Sequence, residues 1–298
     1  MTNRAYKKQS GEEQGKGKVI VVCSAVGGTG RTSVTVNLAV LLAKKNLKVD
    51  IIDGNLQFGD TAMALDLQPF YTLKELAERN DISNARDYAV RHETGIQLIA
   101  SPKRPEFAEL IPTSFLASLT KELSEEANVV LVDAQPGLPE YNIELMEQAD
   151  SLLVVTTPGM AAVKNTKIFI ETLEALGLKE KAHLLVNKAT APSVIKGKEI
   201  MELVVVDMAC FLPEERKRMS QSMDLGRPLV LDEPQREYTK ELGRMIDEQI
   251  FFQNNETRKS TSRGFVRKVE EKLRGTRGKR RELISKTTIK EPDGSESN

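Results

Sequence analysis

The sequence predicts a doubly wound, mostly parallel α/β sheet with helices on both faces, and three observations carry that prediction. An apolar run, Lys18 to Ser24, stops at a glycine-rich turn that opens a helix-like pattern. Two further apolar runs, Lys48 to Asp53 and Asn128 to Asp133, end in an aspartate and a polar stretch containing glycine. Strand-like and helix-like segments then alternate to about Phe252, as they do where helical crossovers join parallel strands.

Composition sets the bounds. The chain has 298 residues, 40% of them hydrophobic, enough for one sizeable core flanked by tails. No apolar run approaches the roughly 18 to 20 residues that span a bilayer, and residues 1–17 lack a signal-peptide core, so the expectation is a cytoplasmic protein. Cys23 and Cys210 show neither metal nor redox spacing and read as buried, reduced thiols. Lys+Arg and Asp+Glu balance at 43 each, but unevenly: residues 254–298 hold 13 basic against 7 acidic groups, leaving 30 against 36 in the body. A basic tail on an acidic body points to an anionic partner for the tail.

Taken in order, residues 1–17 are polar and aperiodic and read as a disordered lead. Lys18 to Ser24 is the first strand. Val34, Leu38, Leu41 and Leu42 then recur at helical spacing through Lys44, and Asn46 ends that helix. The strand Lys48 to Asp53 closes a βαβ unit, followed by the loop Asp53 to Asp60 where open parallel sheets hold ligands. Thr72 to Arg79 predicts a short helix, Gly95 to Ala100 a strand, and Glu106 to Glu126 a helical stretch broken at Pro112. Strands follow at Asn128 to Asp133, Ser151 to Thr157, His183 to Asn187 and near Met208 to Leu212. Helices are expected near Ala161 to Leu176, Glu214 to Met223 and Pro234 to Phe252. The domain thus covers residues 18–252, a linker 253–261, a basic amphipathic helix with a basic tail 262–281, and a disordered end 282–298.

The turn Ala25 to Thr32 is close to the phosphate-binding pattern G-x-x-x-x-G-K-[ST] but places Ala25 at the first glycine and Arg31 at the lysine. A glycine turn ahead of a helix points backbone N–H groups into one concavity, and the helix dipole adds positive potential there. Gly27, Gly28 and Gly30 keep that geometry available. The Thr32 hydroxyl can meet Mg²⁺, and Asp133 can hold the ion's water shell from a neighbouring strand. A tight glycine turn with capping hydroxyls and no ligand is the plain alternative.

With these residues in place, VGGTGRTSVTVNLA resembles the deviant P-loop, KGGxGK[ST], of the MinD/ParA family of P-loop ATPases. DGNLQFGD resembles that family's switch I loop, VVLVDAQPGLP its Walker B strand and switch II, LLVNK its base-binding strand end, and FLPEERKRMSQSMDLGRPLV its proline-glutamate segment near the adenine. The likeness runs from about Lys18 to Phe252, and DGNLQFGD followed by TLKELAE is most similar to the TadZ/CpaE branch, which positions Tad (Flp) pilus machinery. It implies a P-loop NTPase-like fold and ATP or ADP with Mg²⁺. The implied nucleotide contacts are Gly27, Gly28, Thr29, Gly30, Arg31, Thr32, Ser33, Asn187, Lys188, Pro213 and Glu214; the implied metal contacts are Thr32, Asp53 and Asp133. In active members a lysine before the two glycines reaches a dimer partner's phosphates, and here that position is Val26. Arg31 keeps a charge but is bulkier and forked, and Asn55, at the water-orienting position, cannot take a proton. The three departures imply nucleotide binding with slow hydrolysis or none.

In the tail, Phe265, Val266, Val269 and Leu273 fall on one helical face, with Arg267, Lys268 and Lys272 elsewhere around it. That is the pattern of a membrane-surface helix, where MinD-type relatives carry one; contact with nucleic acid and a solvated tail are the competing readings. The resulting expectation is a positioning and recruitment factor for pilus or secretion machinery, peripheral at the inner face of the cell membrane, with a homodimer within the family's habits. The alternatives are an active ATPase for DNA partition or division-site placement, and a flagellar-number regulator.

Overall fold

The computed structural model describes residues 16–251. The tail residues Phe265, Val266, Arg267, Lys268, Val269, Lys272 and Leu273 lie outside them. Among the described residues the strands are β1 (Lys18–Cys23), β2 (Val49–Gly54), β3 (Val90–Arg91), β4 (Gln97–Ile99), β5 (Val129–Ala134), β6 (Ser151–Thr156), β7 (Ala182–Val186) and β8 (Ala209–Phe211). The α-helices are α1 (Arg31–Lys44), α2 (Leu73–Arg79), α3 (Phe115–Ser124), α4 (Glu140–Gln148), α5 (Met160–Ala175), α6 (Gly197–Val204), α7 (Arg216–Asp224), α8 (Leu229–Asp232) and α9 (Glu237–Met245).

The strands form one sheet in the order β3-β4-β2-β5-β1-β6-β7-β8, parallel except for the β3–β4 pair. A parallel sheet is covered on both faces, so its strands are apolar throughout rather than alternating. In β1, Val19, Val21 and Cys23 enter the core under α2 to α6, whereas Ile20 and Val22 enter the core under α1, α8 and α9. Because β1 lies between β5 and β6, the order in which strands are added to the sheet reverses beside it, and the carboxyl ends of β1, β2 and β5 open onto one crevice. The register pairs Asp53 of β2 with Asp133 of β5 across that crevice.

Several expected bounds move. Gly17, at the end of the expected lead, packs against the domain: it donates its N–H to the Ser124 carbonyl at 2.7 Å, and a Cβ there would clash with the Ala127 carbonyl oxygen. The stretch Glu106 to Glu126 is a 3₁₀ turn, Pro105–Leu110, and then α3, because Pro112 cannot donate to a continuous helix. The last expected helix is α9 followed by a π-helical segment, Ile246–Phe251. No helix among the described residues is long and apolar enough to cross a membrane.

Candidate functional site

The site begins with backbone. After β1 the Ser24 hydroxyl donates to the Val26 carbonyl at 2.7 Å, fixing the entry to the turn. Gly30 sits at φ 88°, a left-handed conformation that favours glycine, and a Cβ there would meet Asn187 Nδ2 at 2.4 Å. It caps α1 without any side-chain hydrogen bond, which leaves the opening N–H groups of the helix for an anion.

Beneath the turn the Thr32 hydroxyl donates to Asp133 Oδ2 at 2.6 Å. Asp133 is fully buried, and its Oδ1 has no hydrogen-bond partner. Beside it, Asp53 accepts the Asn55 N–H at 3.3 Å, the Thr61 N–H at 3.2 Å and the Ser101 hydroxyl at 3.3 Å. Thr61 also reaches Asp133 Oδ2 with its hydroxyl, at 3.5 Å. The loop lies so close to Asp53 that a Cβ on Gly59 would approach Asp53 Oδ2 to 2.3 Å. Burial, then the neighbouring Asp133 charge, pushes the Asp53 carboxyl up to about 7. Burial also raises Asp133, against the pull of Arg31 and the hydrogen bonds from Thr32 and Thr61.

Two buried carboxylates and one orphaned oxygen suit a cation, since an unpaired buried acceptor is costly. Among the described residues no group of three or more His, Cys, Asp or Glu side chains could hold a metal. A divalent ion here would need phosphate oxygens and water to complete its shell, as Mg²⁺ typically does. The donor set of Thr32 and Asp133, with Asp53 alongside, fits Mg²⁺ bound together with a nucleotide.

The positions that depart from the active pattern are engaged elsewhere. The Arg31 guanidinium is buried and donates through Nη1 to the Ala134 carbonyl at the end of β5. It braces α1 against the loop after β5 instead of extending into the cradle. Asn142 Nδ2 holds the same loop through the Gln135 and Gly137 carbonyls, at 2.8 and 3.1 Å. Asn55 Nδ2 donates to the Phe58 carbonyl at 2.6 Å, so this amide shapes the loop. Val26 is half-buried and brings no charge.

On the other side of Gly30 a cleft of about 230 Å³ opens, lined by Gly30, Ser33, Asn187, Lys188, Pro213 and Glu215 together with residues of α7 and Tyr238 of α9. Asn187 Nδ2 donates to the Thr29 carbonyl at 2.8 Å, and Lys188 Nζ to the Gly28 carbonyl at 3.3 Å. This pair therefore ties the end of β7 to the glycine turn. Glu214 lies outside the lining: its N–H donates to the Thr190 hydroxyl at 2.9 Å, while Glu215 faces the cleft and pairs with Arg236 at 3.2 Å. Ser101 and Tyr238 carry no signal in the sequence and reach the site through tertiary placement; Thr61, directly after the polar loop that follows β2, and Glu215, within the proline-glutamate segment, each stand one residue beyond a position that the sequence marks.

Residues 17–186 match the family described as an AAA domain. The septum site-determining protein MinD of Synechocystis is 30% identical over 226 residues, 72% of this chain and 83% of that protein. Among solved structures, a ParA family ATPase from Chlorobium tepidum superposes with a TM-score of 0.72 at 20% identity, over 78% of this chain and 98% of that one. MinD from Pyrococcus horikoshii, complexed with Mg-ADP, gives 0.69 at 20% identity over 78% and 97%.

Proposed function

The chain belongs to the MinD/ParA family of deviant P-loop ATPases, and from that premise we propose that it is a nucleotide-binding positioning protein with little hydrolytic power. The observation that carries this reading is the Thr32–Asp133 hydrogen bond below an uncapped helix start, with Asp133 Oδ1 left unpaired. ATP or ADP would lie with its phosphates on the glycine turn and its base toward the cleft. Mg²⁺, when bound, supplies charge neutralisation to the phosphates. The P. horikoshii relative is named as a complex with Mg-ADP, which supports this choice of ligand.

The chain's own residues explain slow turnover. Val26 offers no cation to the phosphates, Arg31 is committed to Ala134, and Asn55 to Phe58. Each missing electrostatic contact costs a rate factor of about 10² or more where such groups act on the transition state.

The named relatives act in septum placement and carry the ParA name, which supports a role in placing a cellular structure through nucleotide-dependent association, including a homodimer. A second reading, recruitment of Tad pilus or secretion machinery at the inner membrane surface, rests on the resemblance of Asp53 to Asp60 and the helix after it to the TadZ/CpaE branch. Loss of the gene distinguishes the two: misplaced division or partition supports the first, and loss of pili with normal division supports the second.

Calorimetric titration with ATP and ADP, with and without Mg²⁺, tests the binding site. Binding is expected to strengthen with Mg²⁺ and to lose that dependence in Thr32→Ala. Turnover equal to that of active relatives, abolished by Thr32→Ala, would contradict the slow-hydrolysis reading.

A further inference from the structure

We infer that Arg31 is a positioning residue: it pins the loop Ala134 to Pro139, so that α4, which follows, keeps one placement whether the glycine turn is empty or filled. That role is separate from the nucleotide reading above, which enters only through the probes of the test. Arg31 opens α1, is 8% exposed, and donates through Nη1 to the Ala134 carbonyl. Ala134 has no exposed surface, so water does not replace this donor if the side chain swings away. A guanidinium is forked and more weakly hydrated than an ammonium, which suits it to such a buried bond better than the lysine of the phosphate pattern.

The rest of the loop is held from both sides. On the side of the turn, the Gly137 N–H donates to the Ser24 carbonyl at 2.9 Å, and Pro136 Cγ lies 4.0 Å from where a Gly27 Cβ would stand. On the side of α4, the Tyr141 hydroxyl donates to Gln135 Oε1, and the Pro139 carbonyl accepts the Asn142 and Ile143 N–H groups at 2.9 and 3.2 Å. Asn142 Nδ2 donates to the Gln135 and Gly137 carbonyls, while Asn142 Oδ1 is buried without a partner. Turning that amide over would set its oxygen against two carbonyls, so the loop fixes its orientation. Pro136 and Pro139 hold their own φ, and Gly137, at φ 82°, occupies the left-handed region that favours glycine. Asp133, which a divalent ion would engage, directly precedes Ala134, so a ligand's pull on it meets these contacts before it reaches α4. Association that responds to nucleotide would then use a surface other than α4.

The test is hydrogen exchange of the full chain over residues 135–143, without ligand, with Mg²⁺-ADP and with Mg²⁺-ATP, at concentrations where calorimetry shows the site filled. Wild-type exchange there is expected to be the same in all three states. Arg31→Lys should speed it about tenfold or more, the worth of one charged hydrogen bond, and make it respond to nucleotide, which loss of a merely structural contact would not. Tyr141→Phe, at the other anchor, should speed exchange over the same stretch by less, and it decides whether the loop is pinned if Arg31→Lys does not fold. Wild-type exchange that changes with nucleotide would overturn the inference and leave the nucleotide reading intact, as would variants that exchange as slowly as wild type. Wild-type protein that binds neither nucleotide would overturn the nucleotide reading, and the ligand-free comparison of the variants would still decide the pin.

Discussion

Asp50 shows how much one buried carboxylate can set. It lies on β2, 4% exposed, and its Oδ2 accepts from Arg86 Nη2 at 2.9 Å. Burial outweighs the Arg86 charge and lifts the carboxyl from 3.8 to about 6. The folded chain therefore holds a proton that the unfolded chain has released between about pH 4 and 6, and this group's contribution to stability falls as pH rises through that window. Asp50→Asn should flatten the fall, measured as the thermal midpoint against pH from 4 to 8; an unchanged slope would place its origin elsewhere. The same burial acts on Asp53 and Asp133, but there the arrangement leaves an oxygen open, so the crevice is suited to a cation where Asp50 is suited to an arginine.

At the scale of elements, α2 is a helix whose start is written in its own residues. The Thr72 hydroxyl accepts the Lys74 N–H at 3.2 Å, and Glu75 Oε2 accepts the Thr72 N–H at 2.8 Å, a closed capping box. Thr72→Ala should cost about 1 kcal/mol, read as a lower urea midpoint with the slope unchanged. Such local signals made α1, α2 and the central strands legible: an apolar run, a cap and a glycine suffice. The helices α4 and α6 were not legible, for physical reasons. The first follows Pro-Gly-Leu-Pro and buries only Asn142, Leu145 and Met146, and the second opens on Gly197 and ends at Val205 in a left-handed conformation. Both contain good helix formers, but at 9 and 8 residues, flanked by turn-like residues, each pattern is too short to stand out from a loop. The site divides the same way. Gly27 to Thr32, Asp53 and Asp133 stand at strand ends that periodicity locates. Tyr238 enters from α9, and no spacing rule links it to Gly30. Glu215 rather than Glu214 faces the cleft because the Glu214 backbone is held by Thr190, a contact 24 residues apart in sequence.

At the scale of the whole molecule, charge is divided between body and tail. Residues 1–253 carry 30 basic against 36 acidic groups and residues 254–298 carry 13 against 7, so one chain presents a body that anionic surfaces repel and a tail that they attract. The four apolar residues that the membrane reading places on one face, Phe265, Val266, Val269 and Leu273, would give only modest apolar burial, and a single weak amphipathic segment binds membranes only marginally. Two tails joined through a nucleotide-bound dimer would act at raised effective concentration, which multiplies affinity without any new contact. The full chain should therefore cosediment with vesicles containing anionic lipid more strongly with Mg²⁺-ATP than without, and weakly with neutral vesicles. Phe265→Glu should abolish the binding and leave nucleotide affinity unchanged, because the cradle and the cleft are built within residues 16–251. Salt-sensitive binding to DNA with none to vesicles would assign the basic tail to nucleic acid instead, and the body's charge would then serve to keep all but the tail off the polyanion.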